Sequence, residues 1–280
     1  MDRYIATPSY TKEILNKYQL YAKKNYGQNF LIDPGVVAKI ARNAVSEEQT
    51  VIEIGPGIGA LTQMLALNAK KVYAFEIDQR LIPVLADTLA PYNNVEVINE
   101  DFLNIDLAAF CADKKAVVIA ANLPYYITTP LLFKIFESDA DIKQITVMMQ
   151  KEVADRFAAN VNTKEYNALS IITQYRCNIT TIMKVPKKVF SPAPAIDSTV
   201  LQFSFKERDP DIDEKQLFAL IKACFKQRRK TILNNYSEYI NDKEKAKQHL
   251  IQAGIALQSR AEALVTADFI RLLEVNQNED

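Results

Sequence analysis

Histidine, net charge and glycine are scarce in this sequence. Its 280 residues include one histidine, which argues against Ser-His-Asp, Cys-His and multi-histidine metal mechanisms, and no metal site is expected. That residue, His249, lies in a polar helical stretch, where we predict a solvated helix position rather than a base or a ligand. The 34 basic and 34 acidic side chains balance, so any nucleic-acid site must be a local basic patch on a neutral body.

Long apolar runs and paired cysteines are also missing. The longest apolar run, Ala116–Ala121, is far below the roughly 18 residues of a membrane span, so no membrane association is expected. The N-terminal residues are polar where a signal peptide needs an apolar stretch, which predicts an unprocessed, cytoplasmic protein. Cys111, Cys177 and Cys224 are odd in number and form no CxxC motif, which is typical of reduced, buried thiols.

Short apolar or β-branched runs alternate with helical patterns from residue 51 onward. This alternation predicts an α/β fold with a parallel, doubly wound, Rossmann-like sheet. The predicted strands are Val51–Ile54, Val72–Ile77, Val95–Ile98, Val117–Ala121 and Ile145–Met149, with a closing strand at Ser198–Phe205. Helix starts are predicted at Asp33-Pro34, Asp78 and Thr129-Pro130, where a capping residue precedes an apolar stripe.

A charged stretch at Lys206–Asp213 marks a domain boundary. Beyond it the apolar periodicity is helical, over Glu214–Phe225, Asp242–Ala253 and Thr266–Val275. We therefore expect an α/β domain at 1–205, including an N-terminal arm, and a small helical domain at 206–280.

Three of the six glycines stand together at Gly55, Gly57 and Gly59, directly after the first predicted strand. Glycine there lets the backbone turn sharply and approach a ligand. Glu76 follows Gly55 by 21 residues, the spacing at which an acid accepts bonds from ribose hydroxyls, and Asp101 follows the third strand, where it can bind an adenine amino group. These residues predict an adenosine-type cofactor. The glycines also satisfy a dinucleotide pattern, which leaves NAD open, and each acid can instead cap a turn.

Asn122, Leu123, Pro124 and Tyr125 follow the fourth predicted strand. An exocyclic adenine amine is a poor nucleophile because its lone pair is delocalised into the ring. If the Asn122 side-chain oxygen and the Leu123 carbonyl accept both amine hydrogens, the lone pair becomes localised and aimed at a methyl donor. Pro124 rigidifies the turn, and Tyr125 offers a ring on which a base can stack.

Motifs spread over nearly the whole chain carry a family resemblance. They are GQNFL at 27–31, EIGPG at 53–57, NLPY at 122–125, FSPAP at 190–194 with Asp197-Ser198, and FKQRRKT at 225–231. In this combination the chain resembles the S-adenosylmethionine-dependent rRNA adenine N6-dimethyltransferases, of the KsgA type that modifies small-subunit (16S) rRNA.

The resemblance implies a class I methyltransferase fold and an S-adenosylmethionine site. The implied cofactor contacts are Asn29, Leu31, Gly55, Gly57, Glu76, Asp101 and Asn122. It also implies a substrate of two adjacent adenosines in a hairpin loop near the 3′ end of 16S rRNA in the 30S particle or its precursor, each methylated twice. Phe190 is the candidate for the second face of a base sandwich; the alternative is an aromatic buried between domains.

Positive charge is concentrated in two places. The C-terminal region carries five cations within nine residues, and the N-terminal arm carries more lysines. The predicted RNA contacts are Lys23, Lys24, Lys222, Lys226, Arg228, Arg229 and Lys230. A solvated helix end is the alternative for the C-terminal group.

Three other functions compete with the small-subunit enzyme. They are an antibiotic-resistance adenine methylase of 23S rRNA, a 30S assembly factor in which methylation is secondary, and an NAD-dependent oxidoreductase. The C-terminal QRRKT stretch favours the small-subunit enzyme over the 23S methylase. A monomer is expected by default.

Overall fold

The computed structural model describes residues 3–20, 29–123 and 127–277. Four residues singled out above, Lys23, Lys24, Pro124 and Tyr125, lie outside these ranges. The chain divides into two compact units, one of Met1–Ala154 with Ile179–Phe205 and one of Asp155–Asn178 with Lys206–Asp280. The second unit therefore takes in residues 155–178, which the sequence pattern assigned to the α/β domain.

The first unit is built on a mixed sheet. In the described part of the chain its strands are β2 Thr50–Ile54, β3 Lys71–Phe75, β4 Val95–Ile98, β5 Val117–Asn122, β6 Ile142–Gln150, β7 Cys177–Val185 and β9 Ser198–Phe205. These seven strands lie in the order β4-β3-β2-β5-β6-β9-β7. β2 to β6 are parallel, and β9 is antiparallel to β6, as a closing strand. A separate antiparallel pair joins β1 (Phe30–Leu31) to β8 (Phe190–Ser191).

Short helices connect the strands of this unit. They are α1 Pro8–Lys17, α2 Pro34–Ala44, α3 Ala60–Ala66, α4 Ile82–Thr88, α5 Leu107–Cys111 and α6 Thr128–Phe136, with 3-10 turns at Gln79–Leu81 and Lys187–Val189. A further helix, α7 Lys151–Phe157, begins in this unit and ends in the second. Asp33 caps α2 by accepting hydrogen bonds from the Gly35 and Val36 amides, as predicted. The predicted start at Thr129-Pro130 is wrong, because α6 begins at Thr128, and Pro130 is its third residue. Proline is tolerated there since the first-turn amides lack helical partners.

The strand order fixes where a ligand binds. β2 and β5 are buried on both faces at the centre of the sheet, and the order of strands reverses between them. Loops leaving the carboxyl ends of such strands diverge to opposite faces and leave a crevice. At this edge of the sheet, Gly55 follows β2 and Asn122 ends β5. Glu76 follows β3, and Asp101 follows β4 by three residues.

The second unit is helical. Its elements are α8 Ala168–Arg176, α9 Glu214–Cys224, α10 Ile232–Ile240, α11 Lys243–Gln252 and α12 Thr266–Gln277, with a 3-10 turn at Ala261–Ala263. α8 belongs here because its Arg176 forms an ion pair with Glu214 of α9. Just before α8, the Tyr166 hydroxyl donates to the Leu264 carbonyl at 3.0 Å.

The prediction that His249 is solvated is wrong. Its side chain is fully buried, and its Nδ1 lies 2.7 Å from the Tyr236 hydroxyl, which donates to Asn276 Oδ1 at 3.2 Å. α11 is polar overall, yet its inward stripe of Ala246, His249 and Leu250 follows the helical spacing of three and four residues.

The three cysteines are free and buried, as predicted. Burial raises the pKa of the Cys111 thiol to about 11 and those of Cys177 and Cys224 to about 12, so these thiols stay protonated and unreactive at neutral pH. Across the described ranges, no helix combines the length and the apolar character needed to cross a membrane.

Candidate cofactor and adenine site

A cavity opens at the carboxyl ends of the central strands of the first unit. It brings together every predicted cofactor contact, along with Leu123 of the predicted adenine site. These lining residues are Asn29, Leu31, Gly55, Gly57, Glu76, Asp101, Asn122 and Leu123. Their assembly at one cavity agrees with the sequence prediction, while the individual contacts to a ligand stay predictions.

Two glycines in the loop after β2 have different structural roles. Gly55 has φ +72°, and a Cβ built there meets no atom within 4 Å, so a side chain would project into open space at the cavity wall. Gly59 has φ +91° and begins α3, where a Cβ would lie 3.1 Å from Leu89 Cδ2. Gly55 therefore leaves room for a ligand, whereas Gly59 permits the close packing of α3.

Glu76 connects the glycine loop to the end of β3. Its Oε2 accepts a hydrogen bond from the Gly57 amide at 3.1 Å, and its Oε1 accepts one from the Asp78 amide at 2.8 Å. Burial raises the pKa of the Glu76 carboxyl, and the bonds from the Asp78 and Gly57 amides oppose that rise by favouring the charged form. A carboxylate held in this way keeps lone pairs for the hydroxyls of a ribose.

Asp101 caps a turn and also lines the cavity. Its Oδ1 accepts a hydrogen bond from the Leu103 amide at 2.9 Å, which is the capping role left open by the sequence. The turn uses one carboxylate oxygen, and Asp101 still lines the cavity. Capping and adenine binding are thus compatible at this residue.

Glu53 is a site residue that the sequence reasoning did not select. It lines the cavity from the middle of β2, is 1% exposed, and its Oε2 has no hydrogen-bond partner among the described residues. Burial raises the pKa of Glu53 to about 8, and the nearby Glu76 carboxylate adds to the rise. The signal was present as a single acid inside the otherwise apolar strand Thr50–Ile54.

Because Glu53 is buried, we expect the free energy of unfolding to depend on pH, and we expect Glu53→Gln to remove this dependence. Between its ordinary pKa of 4.5 and its raised pKa of about 8, the folded chain holds a proton that the unfolded chain has released. The free energy of unfolding therefore falls with rising pH in this window, by at most roughly 1.4 kcal/mol per pH unit. The free energy of unfolding is measured with denaturant at pH 5.5 and at pH 7.5. Relative to Glu53→Gln, the wild type should lose about 2 kcal/mol of this free energy between the two pH values. Equal changes in the two proteins would contradict a protonated Glu53.

The charge of the cavity separates the candidate cofactors. Its lining acids are Glu53, Glu76, Asp78, Glu100 and Asp101, and among the described residues no Lys, Arg or His lines it. S-adenosylmethionine carries a sulfonium and an ammonium cation against one carboxylate, so it fits an acidic lining. The two phosphates of NAD would bring negative charge into that lining. The donor set, together with the open space at Gly55, fits S-adenosylmethionine.

The predicted adenine site is placed only in part. Asn122 is the last residue of β5, and the Leu123 amide donates to the Met148 carbonyl at 3.1 Å, which holds Leu123 beside β6. Pro124 and Tyr125 lie outside the described residues. Phe190 is 4% exposed, pairs with Leu31 across the β1–β8 pair, and belongs to the hydrophobic core rather than to the cavity lining.

The basic stretch of the second unit is partly neutralised by acids from other elements. Arg228 Nε lies 2.8 Å from Glu262 Oε2, and Lys230 Nζ lies 2.6 Å from Glu238 Oε1. Lys222, Lys226 and Arg229 are exposed. Glu262 is 34 residues from Arg228 and Glu238 is eight residues from Lys230, so a count of charges within the basic stretch itself does not reveal either pair.

Comparisons with known proteins agree with this site. Residues 19–278 match the model of the family "Ribosomal RNA adenine dimethylase". The chain is 49% identical to the ribosomal RNA small subunit methyltransferase A of Bacillus pumilus, over 99% of each chain. It is 30% identical to the crystal structure of a dimethyladenosine transferase from Plasmodium falciparum, with a TM-score of 0.75 and coverage of 89% of this chain and 98% of that one.

A large-subunit enzyme is similar as well. The crystal structure of the 23S rRNA methyltransferase ErmE matches with a TM-score of 0.65 and 25% identity, over 88% of this chain and 99% of that one. The family match spans both units and carries the motifs that build the cavity. The chain therefore belongs to the ribosomal RNA adenine dimethylase family.

Proposed function

We propose that this protein transfers methyl groups from S-adenosylmethionine to N6 of two adjacent adenosines in a hairpin loop near the 3′ end of 16S rRNA. Its substrate is the 30S particle or its precursor, it acts as a monomer in the cytoplasm, and it contributes to small-subunit biogenesis. The observation that carries the proposal is the convergence of Asn122, Leu123 and five acids on one cavity in a chain of this family.

The chain's own residues bind and orient the two reactants. S-adenosylmethionine supplies an electrophilic methyl group on a sulfonium. Glu76 accepts hydrogen bonds from the ribose, Asp101 accepts one from the adenine amine of the cofactor, and Gly55 allows the backbone to approach. Asn29 and Leu31 form the wall contributed by the N-terminal arm.

Asn122 and Leu123 act on the substrate base. The Asn122 side-chain oxygen and the Leu123 carbonyl accept the amine hydrogens, so the nitrogen lone pair is localised and points at the methyl group. Tyr125 and Phe190 are proposed to hold the base between their rings, which for Phe190 requires a departure from its buried position. The methylated amine loses its proton to water, so catalysis rests on positioning and needs no histidine.

RNA is bound in part by the exposed cations of the second unit. Within the described residues Arg229 makes no ion pair, whereas Arg228 and Lys230 do. We expect Arg229→Ala to weaken 30S binding and to lower the slope of log affinity against log salt by about 1. Lys215→Ala, which removes an exposed cation in the first turn of α9, is the matched control. An unchanged salt slope in Arg229→Ala would contradict a phosphate contact there.

A substrate competition tests the proposal against the 23S methylase. Transfer of labelled methyl groups is measured with 30S particles that lack the modification and with protein-free large-subunit rRNA. We expect label in the small-subunit RNA alone, since the chain is more similar to a small-subunit enzyme than to ErmE. Label in the large-subunit RNA alone would favour the resistance methylase, and absence of label from both would favour an assembly factor.

A further inference from the structure

Lys134 of α6 makes contacts that a solvent-facing lysine does not make. Its ammonium group donates to the Leu103 carbonyl at 2.9 Å and to the Ile105 carbonyl at 2.6 Å. Both acceptors belong to the loop 101–106, which follows β4 and is more than 28 residues away in sequence. The side chain is only partly exposed, and its ammonium group forms charge-assisted hydrogen bonds with the backbone of this loop.

The loop that Lys134 holds forms part of the cavity wall. Asp101 and Phe102 at its start line the cavity, and Asp106 at its end caps α5 by accepting from the Ala109 amide at 3.0 Å. Between these ends, residues 102–104 form a turn in which the Leu103 amide donates to Asp101. The Lys134 ammonium group donates hydrogen bonds to two backbone carbonyls between these ends.

The helix that carries Lys134 belongs to the other side of the same cavity. Ile127 precedes α6 and Leu131 lies within it, and both line the cavity. Ile127, Leu131 and Lys134 are spaced by four and three residues, so they lie along one helix face. That helix follows the segment that begins with Asn122 and Leu123. The Lys134 side chain thus connects the loop of Asp101 to the helix that follows Asn122 and Leu123 in the chain.

We propose that Lys134 is a positioning residue that fixes the loop 101–106, and with it Asp101, against α6. This inference rests on the proposed function, because it assigns Asp101 to the adenine end of the cofactor. Without the ammonium group two loop carbonyls lose their donor, and the Asp101 carboxylate loses its fixed position.

Binding of S-adenosylhomocysteine, measured by calorimetry without RNA, tests the role of Lys134. Lys134→Met keeps the apolar stem and removes the donor, and we expect roughly tenfold weaker binding. Lys134→Arg retains donors for both carbonyls and should stay within about threefold of the wild type. Lys143→Met removes an exposed lysine that pairs with Asp141, and as a control it should change nothing.

A second comparison separates positioning from a general loss of structure. The Lys134→Met effect should largely vanish in an Asp101→Ala background, because both changes act through the same carboxylate. In methyl transfer, Lys134→Met should raise KM for S-adenosylmethionine by roughly tenfold with kcat within about threefold. Additive effects of Lys134→Met and Asp101→Ala, or unchanged binding in Lys134→Met, would overturn the inference. Failure of the wild type to bind S-adenosylhomocysteine would instead overturn the proposed function.

Discussion

Substituting Asn122 by Ala lowers the rate of methyl transfer to 30S particles by about 10²–10³ in our account, by analogy with removing one preorganised polar group from an active site. The Asn122 oxygen accepts an amine hydrogen of the substrate adenine and thereby localises its lone pair. Asn122 also lines the cofactor cavity, so binding of S-adenosylhomocysteine should weaken, but by less than about tenfold. Single-turnover transfer and calorimetry on the same preparation measure the two effects separately.

Asn122→Asp is the matched variant for this prediction. It keeps the shape and an acceptor oxygen, so it should retain more activity than Asn122→Ala. An equal loss in Asn122→Asp and Asn122→Ala would contradict lone-pair localisation by an acceptor. If Asn122→Ala protein still associates with immature particles and supports their maturation, the binding role of the protein is separable from its chemistry.

Replacing Glu76 by Ala should weaken cofactor binding by roughly 100-fold, since hydrogen bonds to a charged acceptor contribute about 1.5–3 kcal/mol each. The substitution removes the acceptor for the ribose and also the partner of the Gly57 and Asp78 amides. Calorimetric titration with S-adenosylhomocysteine gives the affinity, and thermal unfolding without ligand shows whether the fold survives.

Two variants control for a structural effect at Glu76. Glu76→Gln keeps one acceptor oxygen at the same place and should bind with intermediate affinity. Glu96→Ala removes a half-exposed acid of the neighbouring strand, which pairs with Lys71 outside the cavity, and should leave affinity unchanged. A folded Glu76→Ala protein with wild-type affinity would contradict the assignment of Glu76 to the ribose.

The sheet was predictable because each strand has a local signal. β2 and β5 are continuous apolar runs that fit full burial, and β9 alternates as a closing strand does. β7 was not predicted, because its buried and exposed residues follow no regular alternation. The grouping of α8 with the second unit has no local signal, because its partners, such as Glu214, are distant in sequence.

The residues that line the cavity were predictable for a related reason. Glycines and acids at strand ends are local features, and parallel strands bring their carboxyl ends to one edge. The environments of Glu53, Lys134 and His249 were not predicted, because they depend on the tertiary structure. Glu53 is buried with one oxygen that has no hydrogen-bond partner among the described residues. Lys134 donates to two carbonyls that are distant in sequence, and His249 lies against the Tyr236 hydroxyl.

The most direct test of the central claim is the identity of the methylated nucleosides. Purified protein, labelled S-adenosylmethionine and 30S particles lacking the modification are incubated to completion, and the digested RNA is analysed by mass spectrometry. We expect N6,N6-dimethyladenosine at two neighbouring positions of 16S rRNA. Label confined to monomethyladenosine, or to a nucleoside other than adenosine, would contradict it.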